Sequence, residues 1–167
     1  MPEMTDSASA LDRIRAEIDG IDLQLQALLN RRAACAQQVA EVKKAELLAA
    51  HGHVEPGQVN FYRPEREAQV LRRVMARNDG PLPATEVAHI FREIMSACLA
   101  LEKPMTIAFL GPEGTFTQAA AVKHFGYAVL SRPLATIGAV FEEVESGESD
   151  YGVVPVENST EGMVTHT

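Results

Sequence analysis

Cysteine is scarce in this chain. Its two representatives, Cys35 and Cys98, both fall on apolar stripes of expected helices. That spacing excludes a disulfide framework and leads us to expect reduced, core-packed thiols of a cytoplasmic protein. Basic residues are outnumbered: 15 Lys and Arg against 23 Asp and Glu leave a formal net charge of −8. Such a balance argues against a nucleic-acid partner, and any anionic ligand must be held by a local cationic cluster. No apolar run approaches the ~18 residues of a membrane span. Residues Met1 to Ser9 have neither a basic start nor an apolar run and so lack the marks of a secretory signal. His51 and His53 have no cysteine or acid at ligand spacing, so no metal is expected. What is present is a hydrophobic content of 46% and a mean hydropathy of −0.06 over 167 residues. These figures allow a real core in one domain or two small ones.

The strongest pattern is a seam: Leu11, Ile14, Ile18, Ile21, Leu25, Leu28, Arg32, Cys35, Val39 and Val42. Spacings that alternate between three and four residues mark a helix packed against other helices. Residues 1–6 read as frayed, with Ser7 or Ser9 as the cap, and the helix then continues to about Ala50 with Gly20 as its only weak point. Some 40 residues would span roughly 60 Å, too long for the core of so small a domain. A helix from a second chain is the natural cover, so a dimer is expected.

Arg32 interrupts the seam. An unpaired guanidinium in a dry core would cost several kcal/mol, so something anionic should meet it, whether an acid on a neighbouring helix or a ligand. Lys43 lies eleven residues on, roughly 20–50° around the axis, and shares its face. Arg15 is about 100° and nearly 25 Å away along the helix. It could serve an equivalent pocket only in a partner chain. Taken singly, each of these cations could equally be a solvated helix charge.

After a Gly/Pro-punctuated loop over His51–Arg63, a second helix should open at Pro64. Its stripe is Val70, Leu71, Val74 and Met75, with Arg66 and Glu67 facing inward at its start, and Asn78-Asp79-Gly80-Pro81 ends it. A third helix, Ala84 to Leu101 with Thr85 as a possible cap, carries Val87, Phe91, Ile94 and Cys98 on a stripe that continues onto Glu102. Glu102 is either part of a frayed end or an acid held in a pocket. Pro104 stops the helix.

From Met105 the pattern changes. Strands are expected at Thr106–Leu110, Tyr127–Leu130 and Tyr151–Val156, with helices ending at Phe125 and covering Ile137–Glu145. A β-α-β-α-β order predicts a parallel sheet with helical crossovers. The Gly-rich turn at 111–117 and the ENST turn at 157–160 both follow strands, so both belong at the carboxyl edge, where such sheets take ligands. Each is either an ordinary βα turn or, at a helix start, an anion cradle. Three strands leave two open edges, so this half reads as the opening of a larger domain.

With these residues in hand, the chain resembles the bifunctional fusion of an all-helical chorismate mutase with prephenate dehydratase. Ile14-Arg15, Leu28-Leu29-Asn30-Arg31-Arg32, Lys43 and Arg66-Glu67 carry the first likeness. GPEGTFT at 111–117 and PVENSTEG at 155–162 carry the second. The resemblance implies a mainly α fold: a three-helix mutase domain over 1–104 in an intertwined homodimer, then a partial α/β lobe over 105–167. It implies conversion of chorismate to prephenate in phenylalanine biosynthesis, without a cofactor. Dehydration to phenylpyruvate is not expected from residues 1–167, which lack the family's later motifs. Arg32, Lys43, Arg66 and Glu67 would bind substrate, with Arg15 crossing from the partner. Lys43 and Glu102 would bracket the ether oxygen. In the dehydratase half the corresponding residues are Thr115, Glu157, Asn158 and Ser159. Arg63 stands where some members carry Asp. The alternative is a non-catalytic helical dimerisation module presenting an α/β ligand-binding lobe.

Overall fold

The structure, a computed structural model, describes residues 3–53, 61–158 and 162–163. Helix α1 runs Glu3–His51, α2 Pro64–Arg77 and α3 Ala84–Ala100. The second half follows with β1 (Thr106–Leu110), α4 (Phe116–Phe125), β2 (Leu130–Leu134), α5 (Ile137–Glu145) and β3 (Tyr151–Val153). A two-residue ladder, β4 (Glu157–Asn158) with β5 (Gly162–Met163), is antiparallel.

Helix α1 starts earlier than its sequence suggests: Glu3 is already helical, so neither Ser7 nor Ser9 opens it. At 49 residues it is about 70 Å long. Its far portion is uncovered, since every residue from Leu11 to Arg31 except Gly20 is exposed. Along the seam Leu11, Ile14, Ile18, Ile21, Leu25, Leu28, Val39 and Val42 are 48–60% exposed within the single chain. Cys35, expected in a core, is exposed for the same reason, whereas Cys98 is buried. Only toward its C-terminal end does α1 settle onto α3, with Ala40 fully covered.

Helices α2 and α3 form an antiparallel pair. Pro64 at the first turn of α2 needs no N–H partner. Asn78 ends the helix and its side-chain amide donates to the Leu82 carbonyl at 2.7 Å. Leu71 and Val74 supply the buried stripe of α2, and Ala88 and Cys98 that of α3. Pro83, not Thr85, occupies the position before α3, with no side-chain cap. Thr85 lies inside the helix, where its backbone is already committed.

The sheet is parallel in the order β2-β1-β3, as the alternation of elements predicts. Ile107, Ala108 and Phe109 on the central strand are fully buried between helices α4 and α5. Strand β2 is displaced from its expected place. The apolar run beginning at Tyr127 is a connection: the Tyr127 N–H donates to Glu93 of α3 at 2.9 Å. Pairing begins where the Leu130 N–H reaches the Met105 carbonyl at 2.8 Å. Pro133 is tolerated because β2 is an outer strand with one unpaired side. Strand β3 stops at Val153, and the ENST turn opens as β4 instead of remaining a simple turn.

The two halves meet at the amino-terminal edge of the sheet. Tyr62, just before α2, is buried among Met105, Ile107, Ala121 and Phe125. Lys103 donates to Asp150 at 2.8 Å, and the other Asp150 carboxylate oxygen accepts the Thr106 N–H at 2.9 Å. Gly126 closes α4 with φ +84°; a Cβ there would lie 2.5 Å from that of Ser96 on α3.

Candidate active site

Four of the residues singled out above come from three helical segments and converge on one cavity of about 270 Å³. Arg32 and Lys43 reach it from α1, Arg66 from the first turn of α2, and Glu102 from the turn that closes α3. Ala36, Val39, Met95, Cys98 and Leu99 supply apolar walls. The eleven-residue spacing of Arg32 and Lys43 therefore does put both on the face that meets α3. Arg32 has no ion-pair partner among the described residues, so a salt bridge to a neighbouring helix of its own chain is not what satisfies it.

Glu102 is deeply set. Its side chain is 8% exposed, one carboxylate oxygen stands 4.0 Å from Lys44, and the other is buried with no hydrogen-bond partner among the described residues. An orphaned buried acceptor is costly. Burial, and then the Arg63 guanidinium, hold the Lys43 ammonium below the usual lysine range. An anion in the cavity would offset both effects.

A second cavity of about 390 Å³ adjoins the first and shares Val39, Lys43, Phe61, Arg66, Met95 and Leu99 with it. Glu67 faces this second space and not the first. Its carboxylate stands 3.5 Å from Arg92 of α3. Burial pushes Glu67 above the ordinary carboxylate range, against the pull of Arg92. Arg92 went unnoticed in the sequence, though an inward-facing acid on α2 demands a counter-charge on the helix packed against it. Phe61 was also missed: its ring lies 5.6 Å from the Lys43 ammonium and 5.9 Å from that of Lys44, within cation–π range. No periodicity marks a loop aromatic.

Arg15 is not at this site. It lies on the uncovered part of α1, exposed, 3.5 Å from Asp12. In the second half Thr115 caps α4: its hydroxyl accepts from the Gln118 N–H at 3.4 Å, while the Gln118 side chain accepts the Gly114 N–H at 2.6 Å. These N–H groups are thus satisfied within the turn. Glu157 and Asn158 form β4, and Ser159 lies outside the described residues. Among the described residues no cluster of three or more His, Cys, Asp or Glu could hold a metal, and no helix is long and apolar enough to cross a membrane.

Residues 14–103 match the family model described as chorismate mutase type II, and residues 107–167 match prephenate dehydratase. The chain is 55% identical over 160 residues to the bifunctional chorismate mutase/prephenate dehydratase of Stutzerimonas stutzeri, covering 96% of this chain and 42% of that protein. It is 57% identical over 157 residues to the protein of the same description from Pseudomonas aeruginosa, covering 94% and 41%. The one from Escherichia coli K12 is 29% identical over 180 residues, covering 95% and 42%. The chain spans about two fifths of the length of these curated relatives.

Proposed function

Since the chain belongs to the chorismate mutase type II family, we propose that residues 1–104 rearrange chorismate to prephenate and that residues 105–167 belong to a prephenate dehydratase domain. One observation carries the first part: three cations and a buried acid from three helical segments line a single small cavity with apolar walls. Chorismate brings two carboxylates. Its rearrangement is pericyclic: an ether C–O bond breaks as a C–C bond forms, with no nucleophile, metal or redox cofactor required. The enzyme must hold a compact conformer and stabilise charge growing on the ether oxygen.

Arg32 and Arg66 clamp the carboxylates, and charge-assisted contacts of this kind are the strong ones. Lys43 and Glu102 bracket the ether oxygen. The orphaned Glu102 oxygen supports this role, because only the acid form can donate a hydrogen bond. Glu67 accepts from the substrate hydroxyl from the side of the second cavity. Arg15 completes the pocket of a partner chain. The apolar seam of α1 supports a homodimer: covering the remaining half of each aliphatic side chain is worth about 1 kcal/mol, and eight such residues lie on it. A cytoplasmic place in phenylalanine biosynthesis fits the unpaired thiols and the names of the relatives. A purely structural dimerisation module would have no use for an Arg32 without an ion-pair partner and a buried Glu102 oxygen without a hydrogen bond among the described residues.

The test is the loss of chorismate absorbance on addition of the purified chain, with prephenate identified as product. Glu102→Gln, which keeps a hydrogen-bond donor at this position, should retain activity, whereas Glu102→Ala should cost about 100-fold in kcat. Equal activity of Glu102→Ala and wild type would remove Glu102 from the role.

A further inference from the structure

Three consecutive residues join the helical half to the α/β half. Residues 61–63 precede α2, with Arg63 in extended backbone (φ −129°, ψ 93°). Successive side chains of an extended segment point to opposite sides. Phe61 faces the ammonium groups of Lys43 and Lys44. Tyr62 turns into the α/β half, where its ring meets Phe125 at 5.8 Å and Tyr151 edge-on at 5.5 Å, and its exposed edge closes that end of the second cavity. Arg63 turns back and lines the second cavity beside Arg66 and Glu67. The segment thus shapes the pocket with its first and third residues and is anchored by its second. Tyr62 is 8% exposed, and burial pushes its phenol up to about 12.

We infer that Tyr62 is a positioning residue for the mutase pocket, and that Phe125 and Tyr151 of the α/β half hold it in place. The inference rests on reading the Arg32–Glu102 cavity as the mutase site. Its physical content is that Tyr62 is the one buried residue of the 61–63 segment, whereas Phe61 is half-buried and Arg63 exposed; the Glu67–Arg92 pair holds the first turn of α2 separately. Freeing Tyr62 leaves Arg32, Lys43 and Glu102 where they are, but lets Phe61 and Arg63 drift. A loss of this kind weakens substrate capture more than the chemical step.

Two variants in the α/β half test this without touching a residue of the Arg32–Glu102 cavity; Phe125 lines only the second cavity, and Gly126 lines neither. Phe125→Ala removes the ring against Tyr62. Gly126→Ala places a Cβ against Ser96 and wedges the halves apart. Both should raise KM for chorismate roughly five- to tenfold while kcat stays within about threefold. Tyr62→Phe keeps the ring and should stay within about twofold of wild type in both constants. Val140→Ala is the control: it loosens the α/β core away from the junction and should lower the melting temperature with KM unchanged. Alkaline absorbance titration reports the anchor directly, since the late-titrating phenol should ionise earlier in Phe125→Ala. An unchanged KM in Phe125→Ala and Gly126→Ala, or an equal rise in Val140→Ala, overturns the inference. Turnover by the wild-type chain is a separate check. Its absence would sink the mutase reading and this inference together, whereas active wild type with unaffected variants sinks the inference alone.

Discussion

The seam along the first half of α1 and the central strand β1 are both apolar, yet their fates differ. Ile107, Ala108 and Phe109 on β1 are fully buried by two helices from their own chain. Leu11, Ile14, Ile18 and Ile21 on α1 stay half exposed along a helix that outruns anything the chain can lay against it. A continuous apolar run needs cover on both sides and is satisfied locally by βα crossovers. A heptad seam needs another helix of similar length, and α2 and α3, at 14 and 17 residues, are too short. The contrast separates what folds this chain from the surface assigned above to the proposed homodimer.

The most severe way to break the contrast is to charge the seam. Ile18→Asp with Ile21→Asp should convert the dimer to monomers by sedimentation and cut mutase activity by at least about 100-fold, since a buried charge pair of like sign is intolerable at such an interface. If the double variant stays dimeric and active, the seam is not the interface. A subtler version keeps the dimer and splits its pocket. Arg15→Ala and Arg32→Ala should each cost about 100-fold or more as single variants. Mixed and re-associated, they should recover about one quarter of wild-type activity, because random pairing leaves that share of pockets with both arginines. No recovery, with mixed dimers present, would confine each pocket to one chain.

The smallest effect is a pH dependence of stability within one chain. Burial raises Glu67 above its ordinary value, so its contribution is fully present below the unfolded carboxylate pKa and is lost as pH rises through the folded one. Denaturant unfolding from about pH 4 upward should show wild type losing stability relative to Glu67→Gln across that window. Equal slopes would mean that Arg92 fully compensates the burial.

Much of this architecture is legible in the residues themselves. Helix α2 opens at Pro64, and β1 and α5 fall where their sequences place them: a proline and a short apolar run are local signals, and α5 spans the expected Ile137–Glu145. Arg32, Lys43, Arg66 and Glu102 meet because each is a polar interruption or extension of an apolar stripe, and stripes face one another. What stays hidden depends on tertiary context. Strand β2 was misread because Tyr127 to Leu130 is the more apolar run, while the ladder prefers a stretch containing Pro133, which only an outer position allows. Phe61 and Tyr62 carry no period, and the pairing of Arg92 with Glu67 requires knowing which helix lies opposite.

The alternation of Phe61, Tyr62 and Arg63 has a consequence for how such chains can change in length. Residues added upstream of Phe61 lengthen a connection whose ends stay fixed, at little entropic cost. One residue added or removed between Tyr62 and Pro64 reverses the parity of the segment. It would turn the buried ring toward the ammonium groups and a guanidinium toward the aromatic core. Drift in loop length is thus permitted on one side of Phe61 and forbidden on the other.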